Sequence, residues 1–306
     1  MKVLIATEKP FAPAAVEGIK KVLCGAGHEV TVLEGYKDKS ELIAAVKDVN
    51  AMIVRSDKVT KEVIDAAPEL KLVVRAGAGY DSIDTAYAKE KGVIVENTPG
   101  QNSNAVAELV FGLLVFAKRK FFNGKAGSEL KGKKIGILAF GNVGRNVARI
   151  AKGFDMDVYA YDAFIPAEKI EAAGVHAAKS QEDLFEKCDI ISLHIPATPE
   201  TKQSINYALV SKMEKGAVLI NTARKEIINE PELIKLMEER PDLTYITDIK
   251  PDADEEFKAK FEGRYFATPK KMGAQTAEAN ANAGIAAAHQ IEAYFAMGDT
   301  KFQVNK

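Results

Sequence analysis

The chain has 306 residues, 47% hydrophobic and 28% charged, with a formal net charge of −1. That length exceeds one ordinary hydrophobic core and suits two, while the balanced charge argues against a nucleic-acid or membrane-surface partner and points to a small ligand. The opening MKVLIATEKPF has one lysine and a short apolar run, too brief for a secretory signal, and no run approaches a membrane span, so the expected location is cytoplasmic. Cys24 and Cys188 form no C-x-x-C, and both are expected to be buried thiols without a metal or redox role.

Short apolar runs alternate with amphipathic stretches from the start. Residues 3–6, 29–33, 51–54, 72–75 and 93–96 predict strands, with helices over 14–24 and 61–67 among them, and so an open α/β sheet. Asn97-Thr98-Pro99-Gly100 breaks this pattern. Residues 104–118 then predict a long helix with Val106, Leu109, Val110, Leu113 and Ala117 along one side, and the chain is expected to cross into a second domain there.

The polar segment 123–134 leads into KKIGILAFGNVGRNVARIAKGFDMDVYAYD, residues 133–162, which reads as strand, glycine turn, helix, strand and terminal carboxylate. This order of parts holds a dinucleotide. Ala139-Phe140-Gly141-Asn142-Val143-Gly144 is the G-x-G-x-x-G pattern with alanine first, so the tight turn is made either at φ below zero or under strain. Gly141 lets the backbone approach a pyrophosphate, and Gly144 lets the helix lie close on the strand. Asp162 ends the next strand, 158–161, where a carboxylate accepts hydrogen bonds from a ribose 2′-hydroxyl. NAD is therefore expected rather than NADP: a 2′-phosphate would meet Asp162 with like charge, and Ala163 and Phe164 offer no arginine to neutralise it.

Strands at 190–193, 218–221, 244–247 and 265–267 complete a second doubly wound sheet. After Gly273 the alanine-rich 277–297 predicts a long helix, and Phe302-Gln303-Val304 predicts a short return strand that takes the tail back to the first domain. The expected fold class is α/β, with two doubly wound parallel-sheet domains. A discontinuous substrate domain comprises 1–98 plus 276–306, and a Rossmann NAD-binding domain comprises 99–275.

Several motifs in this order resemble the D-isomer-specific 2-hydroxyacid dehydrogenases, and within them the 3-phosphoglycerate dehydrogenase branch. They are Ile53-Val54-Arg55-Ser56, Arg75-Ala76-Gly77-Ala78-Gly79-Tyr80-Asp81, Asn97-Thr98-Pro99, the glycine fingerprint, Ser192-Leu193-His194-Ile195-Pro196, Asn221-Thr222-Ala223-Arg224, Asp248 and Gly273-Ala274-Gln275-Thr276. The resemblance implies a flavodoxin-like substrate domain beside the Rossmann domain, an active site in the cleft between them, and a homodimer. It implies NAD-dependent oxidation of D-3-phosphoglycerate, the first step of serine synthesis, in a short form with no regulatory extension. Another D-2-hydroxy or 2-keto acid (D-lactate, glyoxylate or D-glycerate) and a catalytically silent NAD-sensing protein are the alternatives.

Site roles follow from the same resemblance. Arg224 matches the catalytic arginine that holds the substrate carboxylate and polarises the C2 oxygen. Ala76, Gly77, Ala78 and Gly79 match the loop whose amides meet that carboxylate, and Arg55 and Arg75 match positions that favour a phosphate at C3. Ala78, Gly141, Asn142, Val143, Gly144, Asp162, His194, Pro196, Thr222, Ala223, Arg224, Asp248, Gly273 and Ala274 fall where the family contacts NAD. No metal is implied.

Two family residues are missing: the histidine two places before the glycine of Gly273-Ala274-x-Thr276, and the glutamate that holds it. Counting back from Gly273 reaches Lys271, counting forward from Thr268-Pro269 reaches Lys270, and the first is preferred because the glycine anchors the following helix. The glutamate position falls on Ala253, flanked by Asp252 and Asp254. The two losses are physically consistent, because a neighbouring carboxylate would push a lysine, already near 10.4, further from neutrality. Arg224 and an oxidised nicotinamide would instead lower it, so Lys271 is expected to take the hydroxyl proton, with oxidation favoured at alkaline pH.

Overall fold

A computed structural model describes all 306 residues. The chain forms two compact units, Met1–Asn102 with Gln275–Lys306, and Ser103–Ala274. No helix is long and apolar enough to cross a membrane.

The first unit holds strands β1 (Lys2–Thr7), β2 (Glu29–Glu34), β3 (Ala51–Val54), β4 (Leu72–Arg75) and β5 (Ile94–Asn97), all parallel in the order β2-β1-β3-β4-β5. Successive side chains of a strand alternate between faces, and here both faces are covered. Leu4, Met52, Val54, Val73 and Val95 pack on one side, and Val3, Ile5, Ala51, Ile53, Leu72 and Val74 on the other. That double burial is why β1, β3 and β4 read as apolar runs, whereas the edge strand β2 is largely exposed. On the second face, helix Pro13–Gly25 contributes Ala15, Ile19 and Leu23, and helix Ala277–Met297 contributes Ala283, Ala287, Ala288 and Ile291.

The second unit holds β6 (Lys134–Leu138), β7 (Asp157–Tyr161), β8 (His176–Ala177), β9 (Ile190–Leu193), β10 (Val218–Asn221), β11 (Thr244–Thr247) and β12 (Tyr265–Ala267). Their order is β12-β11-β10-β9-β6-β7-β8, again all parallel, with β6, β9, β10 and β11 buried on both faces. The chain leaves β6 toward β7 and β8, then returns to β9 on the other flank. The order therefore reverses between β6 and β9, and crevices at such reversals receive ligands beyond the carboxyl ends of the strands.

Two expectations are corrected. Residues 302–304 are not a strand: Gln303 makes one antiparallel bridge to Glu96, and Val304 N donates to Val95 O at 2.9 Å. The Asn305 side chain takes the ladder positions a strand would use, accepting from Val95 N at 3.0 Å and donating to Val93 O at 2.9 Å. Cys24 is exposed, whereas Cys188 is buried. Cys24 lies one position beyond Leu23 on its helix, which turns it off the face defined by Ala15, Ile19 and Leu23.

The fingerprint turn is strained. Ala139 has φ +79°, in the left-handed region that a Cβ disfavours. Replacing Ala139 by Gly is expected to stabilise the fold by about 1 kcal/mol, read as a higher urea midpoint at unchanged slope. A lower midpoint would show that the methyl group contributes more than the turn costs.

Glu96 is buried, and burial lifts its carboxyl to about 7. The folded state thus holds a proton that the unfolded chain releases near 4.3, so this contribution is complete at low pH and is lost as pH rises through 7. Glu96→Gln is expected to match the wild type at pH 4 and to exceed it by on the order of 2–3 kcal/mol at pH 8. Parallel urea titrations at the two pH values check this.

Candidate active site

In the second unit the sequence-selected polar residues gather beyond the carboxyl ends of the strands. Helix Asn142–Gly153 follows β6 with Gly141 as its N-cap and no side-chain cap, and its first bond runs from Arg145 N to Gly141 O at 3.0 Å. The preceding amides of Asn142, Val143 and Gly144 are the ones a helix offers to an anion. A Cβ on Gly141 would meet nothing within 4 Å, whereas one on Gly144 would sit 2.3 Å from Ala139 O. The first glycine keeps the approach to the helix end open; the second permits helix and turn to touch. Both fit a pyrophosphate.

Asp162, after β7, accepts from Phe140 N at 2.7 Å through Oδ2, and from Phe164 N at 2.8 Å and Ile165 N at 3.1 Å through Oδ1. It ties its own loop to the fingerprint turn. An ionised carboxylate has about four acceptor positions, so these three bonds leave capacity for a ribose hydroxyl. His194, after β9, donates its backbone N–H to Leu138 O at 2.9 Å, and its Nε2 lies 2.8 Å from Ser192 Oγ. Burial lowers this imidazole to about 3, so it is neutral at physiological pH, with one ring nitrogen a donor and the other an acceptor. Pro196 O accepts from Thr201 Oγ1 at 2.6 Å, which shapes the next loop.

The ends of β10 and β11 carry the densest polar group. Thr222 Oγ1 and Asp248 Oδ1 are buried without hydrogen-bond partners, while Asp248 Oδ2 accepts from Gly273 N at 2.6 Å. Such orphaned acceptors are uncommon in folded proteins and suit the amide donors of a nicotinamide. Burial raises the Asp248 carboxyl above its usual range, and the backbone amide of Gly273 and the charges of Lys271 and Arg224 oppose the rise. Ala274 directly follows that amide.

Arg224 and Lys271 meet on one atom. Arg224 Nη1 donates to Ala223 O at 2.9 Å, and Lys271 Nζ donates to the same oxygen at 3.0 Å. Lys270 is exposed, with its backbone oxygen accepting from Thr268 Oγ1 at 2.7 Å. Asp252 pairs with Lys225, and Asp254 is bonded to Tyr265 Oη at 2.8 Å and to Lys258 at 2.7 Å. Ala253 N donates to Glu230 Oε2 at 2.8 Å.

In the first unit, Arg55 follows β3, and its guanidinium is heavily committed. Nη1 donates to Lys9 O at 2.8 Å and Pro10 O at 3.0 Å, and Nη2 donates to Asn280 Oδ1 at 2.6 Å. Arg75 ends β4, with Nε donating to Arg55 O at 2.8 Å. Its Nη1 occupies the space a Cβ on Gly77 would need, and Gly77 sits at φ +144°. The following loop is pinned by Ala76 N donating to Val54 O, Gly77 N to Thr98 Oγ1 and Asn97 Nδ2 to Ala78 O, which leaves Ala78 exposed and Gly79 partly exposed. Asp57, which the sequence did not single out, is buried and receives Glu8 N, Arg55 N and Tyr36 Oη at 2.7, 2.9 and 2.8 Å.

Residues 115–261 match the family model described as D-isomer specific 2-hydroxyacid dehydrogenase, NAD binding domain. The chain is 36% identical over 281 residues to D-3-phosphoglycerate dehydrogenase of Methanocaldococcus jannaschii, covering 86% of this chain and 53% of that protein, so it spans about half the length of that curated relative. It is likewise 36% identical to hydroxypyruvate reductase of Thermotoga maritima, covering 86% of this chain and 90% of that one. The crystal structure of NAD+-bound 3-phosphoglycerate dehydrogenase of Entamoeba histolytica is 50% identical with a TM-score of 0.89, covering 100% of this chain and 99% of that one. The match runs through both sheets and the loops at their carboxyl ends, and this chain belongs to the D-isomer-specific 2-hydroxyacid dehydrogenases, with its NAD-binding domain in the seven-stranded unit.

Proposed function

We propose that the protein oxidises D-3-phosphoglycerate to 3-phosphohydroxypyruvate with NAD, with Lys271 in the place of the family's histidine. The observation that carries this reading is the convergence of Arg224 and Lys271 on Ala223 O, in the unit that also holds the uncapped helix and the buried acceptors Thr222 and Asp248. Bound there, oxidised NAD would supply the hydride acceptor. Only one donor of the Arg224 guanidinium is bonded to Ala223 O, and its other donors hold the substrate carboxylate and polarise the C2 oxygen. Lys271, as the neutral amine, accepts the C2 hydroxyl proton; in the reverse direction its ammonium protonates the ketone oxygen. The family likeness supports a cytoplasmic homodimer and a place at the first step of serine synthesis.

Protonated lysine accepts no proton, so the oxidation rate rises with pH. Lys271→Ala is expected to lower kcat by about 100-fold or more and to abolish that rise, with Lys270→Ala near wild type. The assay is NADH absorbance with D-3-phosphoglycerate across a pH series. A wild-type rate in Lys271→Ala would remove the assignment.

The alternative substrate, an unphosphorylated D-2-hydroxy acid, draws support from Arg55, whose donors are largely spent on Lys9, Pro10 and Asn280. The hydroxypyruvate reductase of Thermotoga maritima adds to it. Arg75→Ala and Arg55→Ala are expected to raise KM for D-3-phosphoglycerate by about tenfold with a smaller change in kcat. Unchanged KM in both variants favours the unphosphorylated acid.

A further inference from the structure

Helix Ala277–Met297 packs on the first sheet through alanines, a glycine and an isoleucine, with one polar exception. Gln290 is buried on this helix, 9% exposed, and its Oε1 has no hydrogen-bond partner. A buried amide with an unsatisfied acceptor is destabilising, and an apolar side chain in its place would avoid that cost. The nitrogen of the same amide is engaged: Nε2 donates to Asn97 O at 3.0 Å, at the carboxyl end of β5.

That bond begins a directed series. In a trans peptide the N–H points opposite to the carbonyl it follows, and the chain has no cis peptide bonds. Holding Asn97 O therefore aims Thr98 N–H the other way, and Thr98 N donates to Gly77 O at 2.9 Å. Holding Gly77 O in turn aims Ala78 N–H away from residue 98. A branch does the same one residue on: Asn97 Nδ2 donates to Ala78 O at 2.6 Å, which aims Gly79 N–H away from residue 97. Ala76 N and Gly77 N are already engaged, by Val54 O at 2.8 Å and Thr98 Oγ1 at 2.6 Å. Gly77, at φ +144°, turns the chain between the engaged pair of amides and the outward pair, a conformation that favours glycine.

We infer that Gln290 is a positioning residue for the substrate carboxylate, at the head of a hydrogen-bond relay that runs through the Asn97–Thr98 and Gly77–Ala78 peptide groups to the Ala78 N–H. The inference rests on the reading of residues 76–79 as the loop that meets that carboxylate, and it narrows the donors to Ala78 N and Gly79 N. Hydrogen bonds in series polarise one another, so a peptide whose carbonyl accepts a bond offers a better N–H on its far side. The gain is greatest toward an anion, because a charge-assisted bond is roughly twice as strong as a neutral one. Amides already aimed also need no ordering when the ligand arrives. Every member of the relay lies in the first unit, so a helix made after the whole second unit sets the aim of a loop made before it.

The test uses Gln290→Met and Asn97→Leu in the full chain. Methionine keeps the length and bulk of Gln290 without its donor, and leucine does the same for Asn97. The probe is oxamate, an unreactive mimic of a 2-keto acid, titrated by calorimetry into the NADH-loaded protein, with NADH affinity and thermal unfolding measured beside it. Each variant is expected to raise the Kd for oxamate about fivefold or more with NADH affinity within about twofold, and to raise KM for D-3-phosphoglycerate in step while kcat changes by less than about twofold. Unchanged oxamate affinity in Gln290→Met, or no oxamate binding by the wild type, would overturn the inference. So would a fall in oxamate affinity matched by an equal fall in NADH affinity, which marks general loosening. Unchanged affinity in Asn97→Leu alone removes the branch to Gly79. Should Gln290→Met not fold, Gln290→Leu also lacks the donor and is judged by the same criteria. A wild type that binds oxamate but forms no NADH from D-3-phosphoglycerate would instead strike the proposed substrate, so the two failures are distinct.

Discussion

Burial of both sheet faces is the constraint on which the rest depends. Strands such as Val218–Asn221, buried at every position, leave no side-chain face for chemistry, so polar function is displaced to the residues just beyond each strand. The fingerprint turn, Asp162, His194, Thr222, Asp248 and Lys271 come from distant parts of the chain, and each lies in the turn or loop after the carboxyl end of a strand. A seven-stranded sheet with one reversal of order converts that sequence dispersion into a single neighbourhood.

The electrostatics of this neighbourhood separate roles among groups that look alike on paper. His194 is the histidine nearest the candidate cofactor site by sequence, yet burial without a compensating charge keeps it neutral, which suits hydrogen bonding and not proton exchange. Asp248 is fully buried, but the Gly273 amide and two nearby cations counter its desolvation. The contrast between a group stripped of water and a group stripped of water but opposed by charge and a backbone donor marks where substrate charge would be compensated. Asp252 and Asp254, the carboxylates adjacent to the expected glutamate position, serve local ion pairs and a tyrosine.

Much of the fold was legible because parallel strands advertise themselves as apolar runs. Residues 51–54, 72–75, 190–193 and 218–221 read directly as the observed strands. The two-residue β8 is too short for any periodicity to register, and the tail of residues 302–304 had strand-like composition but met an edge already satisfied by the Asn305 side chain. Arg224 and Lys271 were visible as residue types in a familiar pattern; their common acceptor was not, since a backbone oxygen carries no sequence signal. Asn221 stands within a motif but without a role, and Glu230 and Asp57 were not singled out, for a related reason. Each acts by bonding backbone groups, and only coordinates reveal which amides lie within reach.

The discontinuity of the first unit has a consequence for biosynthesis. Helix Ala277–Met297 covers the same sheet face as helix Pro13–Gly25, but the whole of the second unit is translated between them. While the ribosome works through that insert, Ile19, Leu23 and Val74 wait without the alanine-rich surface that shields them in the finished protein. The inserted unit is contiguous and has its own core, so it can fold as it emerges, and its compactness shortens the span the late helix must close. Nascent chains stalled before residue 277 are thus half-built in a specific sense: a finished nucleotide-binding body attached to an open, adhesive sheet that invites chaperones.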